Sequence, residues 1–106
     1  MNNFSDMLSK AKAMQEKMKE AQDLIKKIEV EGMSGGNLVK VILTGDYEIK
    51  SIEITEAAKK ENQEIINDLI IAAYNSAKEN LKKRSSEELS KVTGGLNLPS
   101  DFKLPF

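Results

Sequence analysis

The sequence predicts an α+β fold: a long N-terminal helix, a three-stranded antiparallel meander, a buried second helix, a short C-terminal helix and an extended tail. Three observations predict it. Apolar residues step by three and four without a break from Phe4 to Ile28, the period of a packed helix. From Ile28 to Ile54 they alternate instead, with glycine-containing reversals at "MSGG" and Gly45-Asp46. After Asn62 the helical spacing returns. A chain of 106 residues suits one domain, here residues 1–95, followed by the tail at 96–106.

The first helix carries a heptad-like seam of Phe4, Met7, Ala11, Met14, Met18, Ala21, Ile25 and Ile28, widened by Leu8 and Leu24. Asn2 or Asn3 can cap its start, and Asp6 suits its first turn. About 24 residues at ~1.5 Å each make a rod of roughly 36 Å, longer than a small sheet can cover. Part of it should project. Lys12, Lys19 and Lys26 recur every seven residues beside the seam, and Lys10 and Lys17 form a row on its other flank. Such rows read either as a solvated face with ordinary ion pairs or as a phosphate-contacting face.

"KIEVEG" alternates as a half-buried strand does, and "NLVKVILT" sets Val39, Val41 and Leu43 on one face. The third strand, "YEIKSIEIT", carries Ile49, Ile52 and Ile54. The change from odd to even positions near Lys50 and Ser51 predicts a bulge or a change of face. The glycine pair in "MSGG" lacks a Walker lysine-serine and a three-glycine fingerprint, so it reads as a hairpin connection.

After a linker at "EAAKKEN", Asn62 can cap a helix running to about Arg84. Its centre is apolar on more than one side, with Leu69, Ile70, Ala72, Ala73 and Ala77 on one stripe and Ile71 and Tyr74 on another. A helix lying on one sheet needs about one stripe, so the surplus predicts a homodimer. Leu69, Ile70, Ile71, Ala73 and Tyr74 are the candidate interface. Lys82, Lys83 and Arg84 then cluster where positive charge suits a helix C-terminus. Ser85 and Glu88 have capping-box spacing, which predicts a restart as a short third helix ending at Gly94-Gly95. In the tail, Leu96, Leu98, Phe102, Leu104 and Phe106 fall on alternate positions while Pro99 and Pro105 bar a central strand. Docking of the tail against a helix or sheet edge of its own dimer is expected; a loose terminus and linkage of neighbouring dimers are the alternatives.

Composition narrows the chemistry. With no histidine and no cysteine, the chain lacks the usual general base, the thiol nucleophile and the commonest transition-metal ligands. No catalytic constellation, metal site, cofactor or small-molecule substrate is indicated. No stretch approaches the roughly 20 apolar residues of a membrane span, and the start has no continuous apolar block. A cytoplasmic location is the expectation. The net charge of −1 gives no overall bias towards nucleic acid, but residues 1–27 hold six lysines against four acids. That is the one net-basic segment.

The segments "GGNLVKVILTGDYEIKSIEI" and "NDLIIAAYNSAKE", with the ending "TGGLNLPSDFKLPF", resemble the YbaB/EbfC family of bacterial nucleoid-associated proteins over nearly the whole chain. The chain departs from the family pattern at Asn37, where a third glycine is frequent, and in "ITEAAKKEN", which lacks the usual proline. The resemblance implies an intertwined homodimer whose protruding helices give a tweezer shape and hold duplex DNA at the nucleoid. Carried onto this sequence, the DNA-contacting residues are Lys10, Lys12, Lys17, Lys19 and Lys26, with Lys82, Lys83 and Arg84 as a second choice. Without aromatic platforms or a recognition-helix motif, phosphate contact with weak sequence preference is expected. The rival reading is a protein-interaction scaffold whose helical arms grip a partner protein through the methionine seam.

Overall fold

The computed structural model describes residues 3–93. The expectations for Gly94-Gly95 and for the tail therefore lie outside the described residues. The order is α1 (Asn3–Lys26), β1 (Glu29–Ser34), β2 (Val39–Thr44), β3 (Ile49–Ile54), a short α2 (Glu56–Lys59) and α3 (Gln63–Thr93). The three strands form one antiparallel sheet in the order β1-β2-β3. Extents of 72 × 23 × 17 Å make the molecule a rod, because the two long helices extend beyond a sheet of six-residue strands.

The core lies between α3 and the inner face of β1 and β2. Val39, Val41 and Leu43 are wholly buried there, with Ala73, Ala77 and Leu81 of α3 opposite. Gly32 sets the distance of closest approach. A Cβ at this position would collide with the backbone of Ala73 and Ala77, so only glycine lets the helix lie directly on β1. The crossing is fastened at both ends. Ser34 Oγ donates to the Leu69 carbonyl at 2.6 Å, and Asn80 Nδ2 donates to the Glu31 carbonyl at 2.8 Å. These contacts make α3 antiparallel to β1.

The bulge predicted near Lys50 is present. Ile42 pairs with Ser51 but Leu43 pairs with Ile49, leaving Lys50 as the extra residue. Without it, Ile49 and Ile52 would point to opposite faces; with it, Ile49, Ile52 and Ile54 all join the inner face. The β2–β3 loop ends with Tyr47 at φ 63°, a left-handed position that favours glycine. Gly35 and Gly36 turn the other hairpin at positive φ, after Met33 and Ser34, which belong to β1 rather than to the turn.

Three expectations are corrected. The "EAAKKEN" linker holds a helical turn: the Thr55 hydroxyl accepts from the Ala58 N–H and donates to the Leu38 carbonyl, tying α2 to the first hairpin. Asn62 caps α3 through Ile65 N–H, as its position suggested, but no restart occurs at Ser85. The helix runs unbroken through Lys82, Lys83, Arg84 and Ser85 to Thr93, since "KKRSSEELSKVT" contains no glycine or proline to leave the helical path. Thirdly, Ala73 is buried under its own chain's β1 and offers nothing to a partner.

Candidate nucleic-acid interface

Only the C-terminal part of α1 is packed. Ala21 and Ile25 are buried, Met14 and Met18 are half-buried, and Phe4 and Met7 are 71% and 67% exposed. The last turn of α1 lies on the β2–β3 loop, where a Cβ at Gly45 would strike the Ile25 carbonyl. From there α1 packs along α3. Its N-terminal part stands clear of the sheet.

Lys10, Lys12, Lys17, Lys19 and Lys26 are all exposed on this helix. Two residues apart on a helix is about 200°, so the 12-19-26 row and the 10-17 row occupy opposite flanks. None of the five is in an ion pair among the described residues. The outer face of the sheet is different. Lys40 lies 3.1 Å from Glu53 and 3.4 Å from Glu31, and Lys50 lies 2.6 Å from Glu29. Its hydrogen bond and charge contact with Glu53, and then those with Glu31, hold the Lys40 ammonium above its ordinary pKa. Those cations are already answered by carboxylates; among the described residues, the five α1 lysines are not.

The cluster of Lys82, Lys83 and Arg84 is divided by its helix. Lys82 faces a cleft with Ile25, Gly45 and Tyr47 and pairs with Glu79 at 3.7 Å. Lys83 and Arg84 line a shallow groove on the β1 side that also holds Glu29, Glu31 and Glu87. These three residues do not form one patch, and two of them share their groove with acids.

A second surface is apolar. Ile70, Ile71 and Tyr74 of α3, Tyr47 of the β2–β3 loop and Ile49 of β3 line a groove of about 640 Å³. Ile71 is 58% exposed, and Lys78 Nζ sits 5.9 Å from the centre of the Tyr74 ring. Leu69 is half-buried against the core. Among the described residues there is no cluster of acids fit to hold a metal ion, and no helix is long and apolar enough to cross a membrane.

Residues 1–96 match the YbaB/EbfC DNA-binding family. The chain belongs to that family. It is 41% identical to a nucleoid-associated protein of Bartonella bacilliformis, over all of this chain and 99% of that one. It is 40% identical to a nucleoid-associated protein of Granulibacter bethesdensis over the full length of both chains. A nucleoid-associated protein of Hahella chejuensis is 38% identical, with 98% and 96% of the two chains covered. The family is a DNA-binding one and not a family of enzymes.

Within that family frame, the lysine rows of α1 were legible from heptad spacing alone. Tyr47, Ile49 and Ile52 were missed as part of the open apolar surface. The signal was present in the isoleucines of β3, but nothing in their spacing says that α3 leaves Ile49 and Ile52 uncovered.

Proposed function

We propose that the protein is a homodimeric nucleoid-associated protein that holds duplex DNA by its phosphates, with weak sequence preference, through the projecting α1 helices. One observation carries this reading: five exposed α1 lysines have no carboxylate partner among the described residues, whereas Lys40 and Lys50 on the sheet do. An unpartnered ammonium binds a phosphate without first giving up an ion pair, and it releases a condensed counterion from DNA on doing so. Lysine is a point charge without the planar fork that reads a guanine edge, which supports contact with the backbone over contact with bases. Lys82, Lys83 and Arg84, split between two faces, add a weaker contribution.

The dimer is supported by the open apolar groove between α3 and β3. Joining two copies there gives two α1 arms and so two sets of lysines on one particle. Family membership supports DNA as the partner, and the names of the curated relatives support action at the nucleoid. The test is a gel-shift titration of the full chain against random duplex DNA at several salt concentrations. Log affinity should fall linearly with log salt, by about 0.9 per phosphate neutralised. Binding that ignores salt would favour the rival, helical arms that grip a partner protein through the methionine seam.

A further inference from the structure

α3 runs antiparallel to β1, so its residues beyond Ser86 extend past the start of that strand at Glu29. There α1 is its neighbour. Ile25 shares a cleft with Lys82, Ser85 and Ser86, and from that point α1 retraces the direction in which α3 leaves. The seven residues from Ser86 to Thr93 advance roughly 10 Å, which carries α3 back along α1 only to about Met18. The burial along α1 agrees: Ala21 and Ile25 are buried, Met14 and Met18 half-buried, Phe4 and Met7 open. Beyond the end of α3, the seam continues as an open apolar face of α1 alone, made by Met7, Ala11, Ala13 and Met14, with Lys10 and Lys17 at its rim.

We propose that residues 96–106 of the same chain lie along this face and complete the seam that α3 leaves uncovered. Position argues for it, because α3 delivers the chain to the edge of that face. Gly94 and Gly95 follow Thr93 and permit the sharp change of path that leaving a helix requires. Reach is ample: 13 extended residues can span up to about 43 Å, while the seam from Met14 to Phe4 is about 15 Å long. Chemistry matches as well. Leu96, Leu98, Phe102, Leu104 and Phe106 share one side of an extended chain, and Pro99 and Pro105 fix φ where no ladder hydrogen bond is needed. Methionines accommodate aromatic rings at such contacts. The segment holds one acid, Asp101, and one base, Lys103, so its docking is apolar and insensitive to salt. A second copy seated on α1 would cover the same face, and the test separates the two.

The chain's five methionines make the experiment direct. Methyl-labelled methionine in the full chain is compared with the same labelling in the full-length Phe102→Ser/Phe106→Ser variant. Met33, on the outer face of the sheet, serves as the internal control for folding. The Met7 and Met14 methyl signals should move on substitution, through loss of the phenyl ring currents, while Met33 stays in place. In the unsubstituted chain, none of these positions should change between low and high salt or on dilution. Met7 and Met14 signals that ignore the substitution overturn the proposal, and if they move on dilution instead, a second copy is the occupant. DNA binding plays no part in the readout, so the result stands whether or not α1 contacts phosphates.

Discussion

Val41 and Ile52 face each other across β2 and β3, yet Val41 is wholly buried and Ile52 is 42% exposed. Paired residues share a face of the sheet, so the difference comes from what lies above them. α3 packs on β1 and β2 and leaves Ile49 and Ile52 of β3 uncovered, while Ile54 stays half-buried against the core. The bulge at Lys50 lengthens the open strip by bringing Ile49, 49% exposed, into line with Ile52. Together with Ile71 they form apolar ground that a second copy can cover.

Sedimentation at micromolar concentration should therefore report twice the chain mass. Ile71→Glu should shift the particle towards monomer, weakening self-association by at least about tenfold, since burying one such side chain is worth roughly 1.5–3 kcal/mol. In a two-fold dimer each substitution acts twice. Ile71 is exposed in the single chain, so the monomer's circular dichroism should not change. A monomeric parent protein would remove the two-armed architecture.

Substituting two glycines should separate collision from backbone strain. Gly32→Ala puts a methyl group into the α3 backbone and should destabilise by about 3 kcal/mol, read as a lower urea midpoint. Gly36→Ala meets no atom within 4 Å but sits at φ 76°, and should cost only about 1–2 kcal/mol. Equal costs would mean that α3 does not rest on β1 as closely as the fold requires.

Ser85 provides a test by sign. A serine that caps a helix loses about 1 kcal/mol on replacement by alanine, but one inside a helix gains a few tenths. Because α3 is continuous through this position, Ser85→Ala should leave the melting temperature unchanged or slightly raised. A clear fall would restore the interrupted helix.

The triple variant Lys12→Gln, Lys19→Gln and Lys26→Gln should weaken binding to all duplex sequences alike. Its log–log salt slope should flatten by roughly 0.9 for each phosphate that no longer meets an ammonium. None of the three lysines is in an ion pair among the described residues, so thermal stability should stay close to that of the parent. Full retention of both affinity and slope would move the DNA-binding face off this row.

The two long helices, the three strands with their inner faces, the irregularity near Lys50 and the Asn62 cap were legible in the sequence alone, because each depends on residues within a few positions of one another, whereas the short α2 was not. Period, capping and register are local physics. The same locality misleads at the end of the second helix: Ser85 and Glu88 have the spacing of a helix start, but a start also needs a break before it, and none of the neighbouring residues supplies one. What only the tertiary structure decided was coverage. Both stripes of α3 are apolar, yet the approach of Gly32 buries Ala73, whereas Ile71, about 200° round the helix, is 58% exposed. The lysines of α1 and those of the sheet likewise look alike in sequence. Strand pairing sets Glu29, Glu31 and Glu53 beside Lys40 and Lys50, whereas Glu16, Glu20 and Asp23, one turn away on the same helix as the α1 rows, make no ion pair with them among the described residues.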